Sequence, residues 1–317
     1  MKNNDGNLQT RFVIGIIVVV LVYVIFTILS DVRQIYSIFS DMDYSYLAII
    51  GFLFSISLIL RGFIQKCILK QLGIQINFKQ SLSLYSAGLS MLITPLGIGQ
   101  TIKSNFLYKQ YGIPYAKSIP LVLAERLYDF ISIIIFLWVT LIFVYRDESF
   151  IVLLFSTILL FTILLSVKNK SITSFFKQIL FKSPFLSRKL SNFDELINSI
   201  SEITNFNKII QILPLVFVAV FIESVIIYLG FLSFHIDSNY FNSFQLFYSS
   251  LLLGIFSFLP GGVGITEGSF VTLMMNDGIS LSVGSSLIIF LRFVTIWSFS
   301  IIGFIFTFYF LRKLNTK

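Results

Sequence analysis

The residues best equipped for chemistry in this sequence are charges stranded in apolar runs. Glu125, Arg126 and Asp129 lie in the run Ser118 to Tyr145, Glu223 in Ile209 to Leu232, and Arg292 in Leu281 to Leu311. Glu125 and Asp129, four positions apart, stack on one helical face, with Arg126 about 100° further round the axis. A charge at the centre of a lipid-embedded helix costs roughly 2.5–3.5 kcal/mol, so these groups must face protein or water. Two Pro/Gly breaks accompany them. Pro260, Gly261, Gly262 and Gly264 lead to Glu267, and Pro95, Gly97 and Gly99 lead to Gln100, with Lys103 three residues on. Broken backbone supplies N–H groups for a phosphate, arginine adds a fork of donors, and carboxylates balance charge or engage a cationic head group. Pairing of the charges with one another is the plainer reading of each taken singly.

Other chemistries lack their residues. Cys67 is the single cysteine and His235 the single histidine, which excludes an internal disulfide and argues against a Cys/His metal site or a Ser/His or Cys/His nucleophile. No cofactor is expected. A lone carboxylate base, Glu267 or Glu125, keeps an intramembrane enzyme acting on a lipid phosphate open.

The elements that position these groups follow from composition. With 56% hydrophobic residues, 12% charged residues and 37 Phe in 317 residues, the chain is an all-α polytopic membrane protein and a single integral membrane domain over residues 1–317. Its net charge of +8 sits mostly between apolar runs, where it orients spans and meets head groups, so nucleic acid is not an expected partner.

Spans are expected at Phe12 to Leu29, Leu47 to Leu60, Ser118 to Tyr145, Phe150 to Val167, Ile209 to Leu232 and Leu281 to Leu311, about six in all. Arg61 falls near the inner end of the second, where it can snorkel to phosphates. Lys168 to Lys208, with seven basic and three acidic residues, is an amphipathic helical insertion. One stripe runs from Ile172 to Leu180, a second from Phe193 to Ile203. The basic connections face the cytoplasm, which puts both termini there and the protein in the cytoplasmic membrane.

The breaks divide the remaining apolar sequence. Both flanks of Ser81 to Leu96 are basic, so a re-entrant hairpin from the cytoplasm turning at Pro95 satisfies them; a full span with a basic outer loop is the alternative. The flanks of Pro260 want the outside. Both turns read P-x-G-x-G-x-T, and a buried arginine follows each, Arg126 31 residues after Pro95 and Arg292 32 after Pro260. Two re-entrant hairpins entering from opposite faces are the mark of an inverted repeat with its site near the midplane. By that symmetry each arginine-bearing span packs beside the opposite hairpin, bringing Arg126 towards Glu267 and Arg292 towards Gln100 or Glu125.

Ile93 to Gln100, Lys103, Val122 to Asp129, Leu259 to Gly268 and Arg292 together resemble the lysylphosphatidylglycerol synthase transmembrane, or flippase-like, family from about Leu47 onward. The resemblance implies a bundle with re-entrant elements that flips a lipid. Best-known members carry a separate soluble half that attaches an amino acid to phosphatidylglycerol; others accompany glycosyltransferases. Gln100 departs from the family pattern, which has Glu there. No stretch of these 317 residues is long enough for a soluble transferase. The expected function is translocation of a phospholipid or lipid-linked head group through a polar cavity between the hairpins. Its partners are membrane lipids, anionic or lipid-linked; a separate transferase and a homo-oligomer stay open. An enzyme or accessory subunit for lipid modification and a structural membrane subunit are the alternatives.

Overall fold

A computed structural model describes residues 32–169 and 193–315, and among these every regular element is helical. The expected span at Phe12 to Leu29 and the first amphipathic stripe lie outside the described residues. Five helical stretches are long and apolar enough to cross a membrane: Ser45–Gln71, Tyr115–Phe143, Asp147–Ser166, Phe206–Ser233 and Leu281–Arg312. They coincide with the other five expected spans. The chain is a multi-pass membrane protein, and its burial is inverted accordingly. Ile151, Phe155, Ile158 and Phe161 on one helix and Ile301, Phe304, Ile305 and Phe308 on another are exposed. Apolar area of this kind has its solvent in lipid tails.

In chain order the elements are α1 (Val32–Ser40), α2 (Ser45–Gln71), α3 (Phe78–Gly88), α4 (Ile102–Tyr111), α5 (Tyr115–Phe143) and α6 (Asp147–Lys168). There follow α7 (Phe193–Ile203), α8 (Phe206–Ser233), α9 (Tyr240–Phe256), α10 (Ile265–Asn276), α11 (Leu281–Arg292) and α12 (Ser298–Asn315). The helix starts are written in polar side chains. Asn77 accepts from Gln80 N–H while Gln80 reaches back to Asn77 N–H, a reciprocal cap for α3. Asn205 and Asn239 cap α8 and α9 one way only, their side-chain oxygens accepting Asn207 N–H and Asn242 N–H.

Two ends can be told apart. Turn residues 144–148, 234–239 and 276–280 line one concavity of about 1000 Å³ at an end rich in Asp and Glu. Residues 70–73, Lys117 and, from α7, Glu195, Asn198, Ser199 and Glu202 line another at the opposite end. α2 runs from the first end to the second, α5 back again, α6 to the second end once more, and α8 returns to the first.

Between these spans stand two helical hairpins with broken tips. In the first, α3 and α4 are joined through 3₁₀ turns at Leu89–Met91 and Pro95–Thr101; in the second, α9 and α10 are joined through one at Pro260–Gly262. The feet of the first lie at the Lys70–Lys117 end. Those of the second lie at the acidic end, where Arg146 Nη1 bonds Asn242 Oδ1 at 2.9 Å and Asp277 Oδ2 at 2.7 Å. The two tips pack on each other in the middle of the molecule. Gly97 and Gly262, third residue of each P-x-G, both hold φ near +65°, a left-handed turn that glycine adopts without strain.

The halves pack reciprocally: α5 lies on α9, and α12 lies on α3 and its 3₁₀ extension. That much of the repeat logic holds. Two details differ from expectation. α2 continues for 11 residues beyond Leu60, so Arg61 lies well inside the helix rather than at its end. The last span is interrupted after Arg292 by a π-helical turn, Phe293–Trp297. In α7, Leu196 and Ile203 are buried.

Candidate functional site

α2 carries Ser57, Arg61 and Gln65 at intervals of four, which places all three on one face. Arg61 meets α8 there: its Nε donates to Glu223 Oε1 at 2.9 Å and its Nη2 to Glu223 Oε2 at 2.8 Å. Ser57 Oγ donates to the same Oε1 at 2.8 Å. The remaining arm of Arg61, Nη1, bonds Asp129 of α5. A single guanidinium therefore ties three spans together through charge-assisted bonds, two of them a fork on one carboxylate.

One turn from Asp129, Glu125 takes Lys103 from the first hairpin, and both side chains are buried. Lys103 also donates to Gln65 Oε1 at 3.2 Å and sits 5.4 Å from the Tyr85 ring centroid. Gly88 makes room for it, because a Cβ there would collide with the lysine stem. A polar seam thus runs from Glu125 and Lys103 through Gln65 and Arg61 to Glu223 and Ser57. Asp129 lies 14 residues from either end of α5, roughly 21 Å at 1.5 Å per residue, so the seam sits at mid-depth.

Arg126 is the opening of this seam. Its Nη2 lies 3.4 Å from Asp129 Oδ2, which Asp129 shares out against Arg61, and its side chain keeps 35% of its exposure. Beside it is the first tip. A Cβ built on Gly97 would lie 3.3 Å from Gln100 Nε2 and 3.8 Å from Arg126 Cδ, so both side chains close over that glycine. Thr94 Oγ1 takes Gly99 N–H at 2.7 Å and holds the turn after Pro95.

The second tip is closed from within its own half. Arg292 Nε donates to Glu267 Oε1 at 2.7 Å, both side chains are 1% exposed, and Arg292 Nη2 bonds the Gly261 carbonyl. Glu267 Oε2 accepts Gly264 N–H at 2.7 Å, capping α10 from its third residue. Glycine at 264 has φ +88° and at 261 φ +60°, where other residues are strained. Gly254 lets Gly262 and Thr266 approach α9.

The expected cross-pairing of Arg126 with Glu267 and of Arg292 with Gln100 or Glu125 is not what the structure has. α10 and α11 lie side by side, which delivers Arg292 to Glu267, and Gln100 has no charge to offer it. The structure brings Lys103, Glu125, Arg126, Asp129 and Glu223 into one seam, with Pro95, Gly97, Gly99 and Gln100 at its edge. It sets Pro260, Gly261, Gly262, Gly264, Glu267 and Arg292 on the other side of the touching tips.

Sequence reasoning passed over Ser57, Gln65 and Tyr85, and read Arg61 only as a snorkelling residue at the end of its span. The signal for three of them was present: a polar residue every fourth position through an otherwise apolar run. Among the described residues no group of three or more Cys, His, Asp or Glu could hold a metal ion, and His235 lies at the acidic end against the Asp41 carbonyl.

Two comparisons with known proteins bear on this arrangement. A UPF0104 membrane protein of Methanothermobacter thermautotrophicus is 27% identical over 97 residues, a stretch that covers 31% of this chain and 29% of that relative. The family model described as the lysylphosphatidylglycerol synthase TM region matches residues 12–303, which takes in both hairpins, the seam and the Arg292 span. On a match of that extent, this chain belongs to the lysylphosphatidylglycerol synthase TM region family.

Proposed function

We propose that this protein carries the polar head group of a membrane lipid between leaflets, along the seam where its two broken hairpins meet. The observation that carries the reading is Arg126, half-open at mid-depth beside the Gly97 turn, with carboxylates and cations of the seam directly behind it. A purely structural ion network has no use for a guanidinium held open there, because each exposed donor in hydrocarbon lacks a partner. In this reading the hairpins are re-entrant, one from each face, and the Lys70–Lys117 end lies in the cytoplasm under the positive-inside bias. A separate transferase would supply any modified lipid.

A photoreactive residue at Ile98, an exposed position on the first tip, tests this. It should capture phospholipid through its head group. Ile158, on the apolar face of α6, should capture acyl chains. Acyl chains alone at both positions would remove the head-group path.

A further inference from the structure

We propose that the seam selects a phosphodiester lipid whose head group is zwitterionic, the phosphate seated on Arg126 and Gln100 and the ammonium on the acceptors beside them. This rests on the head-group reading above and adds the class of substrate.

The first support is an unmet set of hydrogen-bonding atoms. Gln100 is fully buried, yet neither its Nε2 nor its Oε1 has a partner among the described residues. Arg126 Nε and Glu125 Oε1 are likewise buried without one. Buried polar groups in folded proteins are almost always paired, and an unpaired amide is a standing cost. These orphans are neighbours rather than scattered. Gln100 and Arg126 close over Gly97, while Glu125 adjoins Arg126 and is joined to Lys103, one turn beyond Gln100. Two are donors, Arg126 Nε and Gln100 Nε2, and two are acceptors, Gln100 Oε1 and Glu125 Oε1. A ligand that fits must bring both kinds: anionic oxygens for the donors, and a donor group within one head group's length for the acceptors.

The second support is charge. Among the described residues, Arg61 is neutralised by Glu223 and Asp129, Lys103 by Glu125 and Arg292 by Glu267. Arg126 has a single ion pair at 3.4 Å, on a carboxylate that already serves Arg61. One cation with spare donors matches one negative charge. A pyrophosphate-linked lipid brings at least two, and the other described cations of the seam, Arg61 and Lys103, already have carboxylates of their own. The seam's three cations, Arg61, Lys103 and Arg126, and three carboxylates, Glu125, Asp129 and Glu223, sum to zero, so a head group that is itself neutral adds no net charge to a low-dielectric site. A phosphodiester followed by an ammonium meets both conditions.

The experiment is lipid retention by the detergent-purified full chain, read by native mass spectrometry with equal amounts of phosphatidylethanolamine, phosphatidylglycerol and an undecaprenyl pyrophosphate lipid. Phosphatidylethanolamine should be retained at least tenfold above the pyrophosphate lipid and above phosphatidylglycerol. Gln100→Leu should lower that retention about tenfold, as expected for one lost hydrogen bond to a charged group. It should also raise the melting temperature, because a buried amide without partners is replaced by an apolar side chain of similar size. Added inorganic phosphate should not displace the lipid. Equal retention of the three lipids, unchanged retention in Gln100→Leu, or displacement by inorganic phosphate would each overturn the proposal. Retention is read without transport, so a protein that binds phosphatidylethanolamine as described but moves no lipid would sink the transport reading and leave this one standing.

Discussion

Arg292 and Glu267 are both almost wholly buried, and each is bonded a second time to the turn they close: the arginine to the Gly261 carbonyl, the glutamate to the Gly264 N–H. Their pairing makes them a clasp for the second tip. Removing one partner of a buried pair leaves the other charge uncompensated, at about 3–5 kcal/mol. Arg292→Gln should therefore lower the melting temperature of the detergent-purified protein clearly, and Arg292→Leu with Glu267→Leu should recover much of the loss. An unchanged melting temperature in the single variant would contradict the clasp. Every charge of the seam except Arg61 was legible as a functional candidate in the sequence, because a charge in an apolar run has few explanations. Arg61 was discounted by ending its span at the first charge met, whereas the helix continues to Gln71. The pairings were not legible. They depend on how α2 rotates against α8 and how α10 lies against α11, which no spacing within one helix records.

At the scale of elements, the tips stay broken because their neighbours come too close for ordinary side chains. Gly303 of α12 packs against the backbone of Leu89 and Ser90, where a Cβ would overlap main-chain atoms. Thr307, one turn on, donates to the Ala87 carbonyl at 3.0 Å and so supplies an acceptor of the broken helix with a partner. Small residues at such crossings are how membrane helices approach. Gly303→Val should push α12 off the first hairpin at a cost of about 1–3 kcal/mol. A shifted or broadened elution profile and a lower melting temperature would register it, and a wild-type profile would contradict the packing. Hairpins were readable from Pro/Gly breaks between like-charged flanks. The π turn after Arg292 was not, since it arises where α11 and α12 must satisfy different neighbours along one continuous apolar run.

For the whole molecule, the reciprocal packing of α5 on α9 and α12 on α3 makes two halves of one chain meet tip to tip, with a charged seam beside the junction and none of its members at a surface end. The alternation of basic and acidic connections was enough to order the spans, and the acidic end defined by Asp147, Asp237 and Asp277 agrees with it. The central claim is that lipid head groups cross at that junction. The direct test is vesicles reconstituted with the full chain and a fluorescent phospholipid labelled on its acyl chain, treated with a membrane-impermeant quencher. The wild-type protein should give quenching beyond the outer-leaflet fraction, and Arg126→Gln, which keeps the shape but loses the open cation, a rate about tenfold lower. Quenching that stops at the level of protein-free vesicles, or that proceeds in Arg126→Gln at the wild-type rate, would contradict that claim.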